Sequence, residues 1–271
     1  MSENIFGLAV LFIFIGWCLG SILFGSIISL ALKKKIRESG SGNIGATNVL
    51  RTVGKKSAIV VLLFDFFKSW LAVFLCLITY KELMPLIING NKELYESFGF
   101  LIYLGGLFTI LGHCFPIQYF FVLFKTKFNF QEAKKHSGGK GVSSSAGLVA
   151  SISPWVFLII AVVFFSLVFI TKYVSLSSIA TTIITTFLFL IPELDYFYML
   201  NVLDANIINV PNISEAFLIT QTINYWSKWW YIMTIVLIFV IISIVVVWRH
   251  KENIIRLYNH NENKIGNKKK N

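Results

Sequence analysis

The run VSSSAGLVASISPWVFLIIAVVFFSLVFIT at residues 142–171 decides the fold, because it forms either one long apolar helix or two shorter ones. Its interior contains the tetrapeptide SISP, which ends at Pro154. Proline has no backbone N–H to donate and disfavours a helical conformation at the residue before it. We therefore predict a break there, with a short helix over 142–153 and a second helix over 154–171.

Further apolar runs of the length needed to cross a bilayer flank this region on both sides. They lie at residues 5–32, 58–80, 98–115, 173–192 and 229–248. Of the 271 residues, 56% are hydrophobic and only 14% are charged, which is more apolar surface than one soluble core can hide. We predict an all-α fold, a polytopic integral membrane helix bundle of about seven transmembrane helices. The first run lacks a basic leading region and a small-residue cleavage site, so we expect it to stay as a helix.

The distribution of charge predicts the orientation of these helices. The chain carries a formal net charge of +11, and most of its 24 lysine and arginine residues fall in a few polar segments. These segments are 33–56, 125–140, Lys172 and 249–270. Basic segments stay on the cytoplasmic side of a membrane, whereas the opposite segments, such as 193–228, are richer in carboxylates. The N-terminus is therefore expected outside and the C-terminus in the cytoplasm.

Parity supports the break at Pro154. The loop that ends at Lys140 and the tail that begins at Arg249 are both expected in the cytoplasm, so an even number of crossings separates them. One uninterrupted span over 142–171 would give an odd number.

A cluster of glycines and short polar residues follows the first apolar run. It reads GSGNIGATN at residues 40–48, and Arg51 follows it. Glycines let the backbone turn and present several N–H donors together, beside hydroxyl and amide side chains. A flexible connector between two helices is the alternative, but it explains neither the amides nor the arginine. The pattern is typical of a site that holds an anion.

Two more polar clusters are expected on the same side of the membrane. The second consists of GHCFP at residues 112–116 and SGGKGVSS at residues 137–144. The third is RHKENIIRL at residues 249–257, with ENKIG at residues 262–266 beyond it. All three clusters meet the cytoplasmic face in the predicted topology.

Together the clusters resemble the acyl-phosphate-dependent glycerol-3-phosphate acyltransferases of bacterial membranes. The first matches the pattern GSGNxGATNxxR throughout, the second resembles GHxFP followed by GGKG, and the third resembles HRxNIxRL. The resemblance implies transfer of a fatty acyl group from acyl phosphate to sn-glycerol 3-phosphate, which gives lysophosphatidic acid and phosphate. This is the first acylation step of phospholipid synthesis in the cell membrane. It implies glycerol 3-phosphate, acyl phosphate and membrane lipids as partners, with no cofactor, metal or nucleic acid.

Candidate binding residues follow from the chemistry and from the resemblance. Two phosphate-bearing substrates require fixed cations, and Arg51 offers a bidentate fork while Lys140 offers a compact charge. Both charges also fit ordinary positive-inside topology, and only their glycine-rich surroundings favour a site. The resemblance assigns glycerol 3-phosphate to Ser41, Arg51, Lys140, His250 and Asn253. The wider set expected to bind substrate adds Gly42, Asn43, Gly45, Thr47, Asn48, Gly138, Gly139, Gly141 and Ser143.

Roles in the reaction itself are assigned to no side chain with certainty. His250 suits a general base because its ordinary pKa is near neutrality, but the resemblance implies a substrate-assisted route in which a phosphate oxygen takes the proton. We assign His250 to substrate binding and keep the role of general base as the less favoured alternative. Asp65 and Lys68 are expected to form an ion pair, although Asp65 could pair with Arg51 instead. His113 is expected to be structural, with a possible contact to substrate.

The chain departs most from the family at residues 117–137. This insertion carries Lys125, Lys127, Lys134 and Lys135, so we expect a basic cytoplasmic loop on the membrane surface. The whole chain, 1–271, is expected to form a single membrane-embedded acyltransferase domain.

A transporter or channel for a phosphorylated anion is the alternative function. It would use the same clusters as a translocation site and would need polar residues along a path to the outer side. The outer halves of the apolar runs look almost wholly apolar, which favours a site closed from outside.

Overall fold

A computed structural model describes residues 2–191 and 225–265, and every regular element in these ranges is helical. The all-α prediction is therefore confirmed for the described chain. Residues 192–224, which contain most of the segment expected outside, and Gly266, the last residue of the run ENKIG, lie beyond the described residues. In chain order the helices are α1 (Ser2–Gly20), α2 (Phe24–Ala31), α3 (Ala46–Thr52), α4 (Lys55–Ile87), α5 (Lys92–Ser97), α6 (Ile102–Cys114), α7 (Ile117–Lys125), α8 (Phe130–Lys134), α9 (Val142–Ile152), α10 (Pro154–Thr171), α11 (Val174–Leu188), α12 (Tyr225–Arg249) and α13 (Lys251–Tyr258).

Several of these helices have the length and composition of membrane spans. Four helical stretches qualify outright among the described residues: Glu3–Ala31, Lys55–Ile87, Pro154–Thr171 and Ile232–Arg249. A fifth qualifies if the pair Gly99–Cys114 and Ile117–Lys125, which is bent by 54°, counts as one span. The remaining apolar runs form the shorter helices α9 and α11. Each predicted apolar run is thus mainly helical where it is described, with an interruption of the first run at residues 21–23. Helix length alone supports four or five crossings.

The break predicted at Pro154 is present. Helix α9 ends at Ile152, and Ser153 caps the next helix by accepting a hydrogen bond from the backbone N–H of Val156 at 3.3 Å. Proline at the first position of α10 needs no donor there, because that N–H would lack a helical partner in any case. The run over 142–171 is therefore two helices.

Glycines bring α1 and α6 into backbone contact. A Cβ atom on Gly16 would lie 2.2 Å from the carbonyl oxygen of Gly105, and one on Gly20 would lie 2.3 Å from that of Thr109. Helix α9 approaches α4 in the same way, since a Cβ on Gly147 would lie 2.1 Å from the carbonyl oxygen of Phe66. Small residues at such crossings allow close van der Waals packing between membrane helices.

The first polar cluster has a small apolar support of its own. Ile36, Val49, Ala58 and Val61 are buried together beneath it, where the start of α4 meets α3. This support holds residues 40–48 against the N-terminal end of α4.

The insertion differs from its expected form as a loop. Residues 117–137 contain the helices α7 and α8, joined by a turn. Helix α7 buries Leu123 and exposes Phe121 and Phe124, while the side chain of Asn129 caps α8 by accepting from two backbone N–H groups. The apolar residues between its lysines therefore give the insertion enough packing for helices, which the charge pattern alone did not indicate.

Helix α11 buries several of its hydroxyl side chains. Its buried face includes Thr181, Thr182 and Thr185. Each of these hydroxyls donates at 2.7 Å to a carbonyl oxygen one turn earlier in the same helix. The polar atoms are thus satisfied within α11.

Candidate active site

All three polar clusters line one cavity of about 130 Å³, which we call the polar cavity. The predicted residues in its wall are Ser41, Asn43, Gly45, Thr47, Asn48, Arg51, Lys140, Gly141, Ser143, His250 and Asn253. Asp65 and His113 also reach it, whereas Lys68 does not. Clusters far apart in sequence therefore form a single site.

Two asparagines hold the first cluster in shape. The side-chain oxygen of Asn48 accepts from the backbone N–H of Ser41 at 2.9 Å, and its amide nitrogen donates to the carbonyls of Ile36 and Ser39. Asn43 accepts from the backbone N–H of Gly45 at 2.8 Å. Because both ends of the buried Asn48 amide are engaged, this side chain shapes the loop, and its expected contact with substrate stays a prediction.

The glycines before Lys140 allow their loop to pack closely against His113. A Cβ atom on Gly138 would lie 1.6 Å from the carbonyl oxygen of His113, and one on Gly139 would lie 2.1 Å from its ring Nε2. The N–H of Gly138 donates to the carbonyl of Cys114 at 3.1 Å. Gly138 and Gly42 line a neighbouring cavity, and Gly139 lines neither one. Substrate contact at Gly42, Gly138 and Gly139 stays a prediction, since none of the three lines the polar cavity.

Arg51 and Lys140 provide the free positive charge of the polar cavity. Arg51 donates to the carbonyl of Asn263 at 3.4 Å, and Lys140 donates to the side-chain oxygen of Asn253. Neither cation has a carboxylate within 4.0 Å in the described part of the chain. Burial, reinforced by the charge of Arg256, lowers the pKa of Lys140 to about 8. Burial also lowers the pKa of Arg51.

Asp65, Lys68 and His113 form a buried cluster where α4 passes α6. The Nζ of Lys68 lies 3.0 Å from Oδ1 of Asp65 and 2.8 Å from Nδ1 of His113, and it donates to the carbonyls of Gly20 and Ile22. The predicted Asp65–Lys68 ion pair is confirmed, and the alternative pairing of Asp65 with Arg51 is wrong. By holding the carbonyls between α1 and α2, the cluster fixes the end of α1, which fits a structural role for His113.

His250 presents one ring nitrogen to the cavity. Its Nδ1 lies 2.7 Å from the carbonyl oxygen of Val246, and since a carbonyl only accepts, Nδ1 carries the proton. Nε2 is then the acceptor nitrogen. Burial and the nearby charge of Lys140 lower the pKa of His250 to about 4. The ring is neutral near pH 7, so it is a weak base but a good hydrogen-bond acceptor for a hydroxyl.

Glu262 is the main functional candidate that sequence reasoning missed. Its buried carboxylate accepts from Asn253 at 2.8 Å, from Ser175 at 3.1 Å and from Arg256 at 2.7 Å. Glu262 and Ser175 both line the polar cavity. The spacing of Asn253 and Arg256, three residues apart on α13, was the available signal that both side chains share one partner.

An apolar cavity of about 320 Å³ adjoins the polar one. The two share the wall residues Leu62, Val142, Ser143 and Phe164. The apolar cavity continues past Phe66 and Phe157, and its outer wall includes the exposed side chains of Leu63, Phe67 and Phe165. A ligand with a charged head and a long apolar tail fits such a pair of cavities.

Comparison with known proteins identifies relatives along almost the whole chain. The family model described as glycerol-3-phosphate acyltransferase matches residues 10–260. The glycerol-3-phosphate acyltransferase of Malacoplasma penetrans is 51% identical over 99% of this chain and 98% of its own. That of Mycoplasma pneumoniae is 33% identical over 95% and 96%, respectively.

Two crystal structures of PlsY (YgiH), an integral membrane glycerol 3-phosphate acyltransferase, have the same fold. Its glycerol 3-phosphate form matches with a TM-score of 0.62 and 26% identity, covering 95% of this chain and 96% of that one. Its lysophosphatidic acid form matches with a TM-score of 0.60 and 27% identity over 95% of both chains. The chain therefore belongs to the glycerol-3-phosphate acyltransferase family and is an integral membrane acyltransferase.

Proposed function

We propose that this acyltransferase takes its acyl group from acyl phosphate and transfers it to sn-glycerol 3-phosphate at the cytoplasmic face of the membrane. The observation that carries the proposal is the shared wall of the polar and apolar cavities. An acyl phosphate can place its chain in the apolar cavity and its phosphate among the cations. Its activated carbonyl then lies at the shared wall, near Val142 and Ser143.

The phosphate of glycerol 3-phosphate binds Arg51 and Lys140 in this proposal. Both cations face the polar cavity without a carboxylate partner among the described residues, and the N-terminus of α9 adds the N–H groups of its first turn. Ser41, Thr47 and Ser143 supply hydroxyls to the same wall. The related PlsY structure in its glycerol 3-phosphate form supports a site for this ligand in the shared fold.

The remaining groups orient the nucleophile. Nε2 of His250 accepts a hydrogen bond from a glycerol hydroxyl. The amide N–H of Asn253 donates a hydrogen bond to a glycerol hydroxyl oxygen. A glycerol hydroxyl oxygen attacks the acyl carbonyl carbon, an ester bond forms, and the bond between the carbonyl carbon and the phosphate oxygen breaks. The departing phosphate takes the hydroxyl proton, so the reaction needs no strong base from the protein. A histidine with a pKa of about 4 suits this division of roles.

The topology proposed for the chain has seven crossings, the N-terminus outside and the C-terminus in the cytoplasm. Because α9 and α11 are short for a full crossing, in this topology neighbouring helices cover them or the bilayer thins around them. We treat residues 1–271 as one membrane-embedded domain in contact with membrane lipids, with the helical insertion at 117–137 on its cytoplasmic side.

The donor is tested by offering purified protein three acyl donors with glycerol 3-phosphate: acyl phosphate, acyl-CoA and acyl carrier protein. We expect lysophosphatidic acid from acyl phosphate alone, with one phosphate released per ester formed. Equal rates from acyl-CoA would refute the proposal that acyl phosphate is the donor, but not the acyltransferase activity. Flux of glycerol 3-phosphate across vesicles without any product would instead support the transporter.

A further inference from the structure

A second cavity, which we call the outer cavity, lies beside the polar cavity and measures about 670 Å³. The two share Ser41, Asn43, Lys140 and Asn253, so they are continuous at the residues expected to hold glycerol 3-phosphate. Side chains of the insertion form part of its wall, among them Tyr119 and Phe130. A feature that departs from the family pattern therefore builds the approach to the site.

The wall of the outer cavity carries a large excess of positive charge. Glu252 is its one carboxylate among the described residues, and it pairs with Lys134 at 2.7 Å. Two further wall cations, Lys135 and Arg256, pair with carboxylates that lie outside the wall. These pairs leave other cations of the wall without a carboxylate.

Arg37, Arg249 and Lys251 are those remaining cations, together with the shared Lys140. None of the three lies within 4.0 Å of a carboxylate in the described ranges. Lys251 is exposed, with its Nζ 5.7 Å from the ring centre of Trp248. Uncompensated cations in a concave wall concentrate anions and favour their binding.

The two arginines converge on one short loop. Arg37 donates to the carbonyl of Ser137 at 2.8 Å, while Arg249 donates to the carbonyl of Gly138 at 2.8 Å and to the hydroxyl of Ser137 at 3.3 Å. Arg37 makes its contact through Nη1. Arg249 also donates from Nε and Nη2 to the carbonyl of Gly139, so its Nη1 group stays available for a ligand. Burial and the neighbouring Arg249 lower the pKa of Arg37, as expected for two like charges held close together. An anion between them would relieve that repulsion.

We propose that the outer cavity is a second phosphate-binding site, formed by Arg37, Arg249 and Lys251 and walled by the insertion. It holds a phosphate group on its way into or out of the polar cavity, which rests on the proposed function of that cavity. The phosphate belongs to a free phosphomonoester or orthophosphate, or to the headgroup of an anionic lipid. Both sources present the same oxygens to the arginines.

Binding of radiolabelled orthophosphate to the full chain in phosphatidylcholine nanodiscs tests the site. Lys251→Gln and Arg37→Gln should each weaken one component of the binding isotherm by about fivefold or more, the effect of one lost charge contact in a partly shielded site. Lys127→Gln is the matched control, since Lys127 is an exposed cation of the same insertion that does not line the cavity. Arg51→Gln should weaken a different component, because Arg51 lines only the polar cavity.

The outcomes separate the outer site from the proposed function. Unchanged isotherms in both Lys251→Gln and Arg37→Gln would overturn the second site, whatever the donor assay shows. Lys251 is exposed, so its variant keeps the test valid if Arg37→Gln fails to fold. Repeating the wild-type measurement in phosphatidylglycerol nanodiscs identifies the source. Loss of the Lys251-dependent component there assigns the site to a lipid headgroup, and its persistence assigns the site to free phosphate.

Discussion

The side-chain amide of Asn253 is oriented by Glu262. The amide nitrogen donates to Oε1 of Glu262 at 2.8 Å, and the amide oxygen is thereby turned toward Nζ of Lys140. A carboxylate can only accept, so it distinguishes the two ends of the amide. This contact joins the third polar cluster to the glycine-rich loop before α9, in addition to the hydrogen bonds that Arg249 donates to the same loop.

Glu262→Gln should therefore weaken glycerol 3-phosphate binding although Glu262 carries the wrong charge to bind a phosphate. Glutamine can present a donor to Asn253, which lets the amide turn away from Lys140. We expect KM for glycerol 3-phosphate to rise about 10- to 100-fold, the effect of losing hydrogen bonds to a buried charge, with a smaller change in kcat. Steady-state kinetics measure both constants. Glu38→Gln is the matched control, because Glu38 forms an exposed ion pair with Lys35, and it should be silent.

Arg51 is predicted to hold a phosphate with its planar fork. Arg51→Lys keeps the charge but loses the second parallel hydrogen bond, so kcat/KM should fall by about tenfold or more. Lys56→Gln removes an exposed charge at the start of α4 and should leave kcat/KM unchanged. Full activity of Arg51→Lys at matched expression would contradict bidentate phosphate binding by Arg51. The residue would then act only as a basic residue that sets membrane topology.

The pKa of Lys140 predicts a pH dependence. Its folded value of about 8 lies below the ordinary value for lysine, so the free enzyme loses this cation as the pH rises through that value. We expect kcat/KM for glycerol 3-phosphate to fall above about pH 8, since this ratio reports groups of the free enzyme. Lys140→Arg should be less active but should lack this decline, because arginine stays charged. A wild-type profile that is flat between neutrality and high pH would contradict the assignment.

Parts of this site could be predicted from local pattern. The glycine-rich clusters and the Asp65–Lys68 pair depend on short spacings, which a sequence displays directly. The role of Glu262 could not be predicted, because it depends on how the segment after α13 folds back toward Ser175. The packing of Gly138 against His113 was hidden for the same reason, since it exists only when α6 meets the loop before α9. The helices of the insertion were missed because its lysines dominated the pattern.

The proposed topology predicts which side of the membrane each end of α10 faces. Trp155 and Lys172 are exposed at its two ends. In intact cells an impermeant thiol reagent should label Trp155→Cys and should reach Lys172→Cys only after permeabilisation. Cys76 and Cys114 are buried, so replacing the partly exposed Cys18 by serine gives a suitable background. Labelling of both positions, or of Lys172→Cys alone, would be incompatible with this orientation of α10.

His250 provides the test of how the proton is removed. If its Nε2 only accepts a hydrogen bond from a glycerol hydroxyl, His250→Ala should chiefly raise KM for glycerol 3-phosphate, by about tenfold or more. Asn253→Ala should behave in the same way although an amide cannot titrate. A pKa of about 4 also predicts that kcat has no limb from this histidine near neutral pH.

A general base would produce a different pair of results. His250→Ala would then keep its KM and lose measurable kcat, while Asn253→Ala would keep most of its turnover. Lys127→Gln serves as a control for both variants, because Lys127 is exposed and lines neither the polar cavity nor the outer cavity. We expect matched increases in KM from His250→Ala and Asn253→Ala. Protonation of the buried imidazole would place a positive charge beside the cation of Lys140, which disfavours a role as general base.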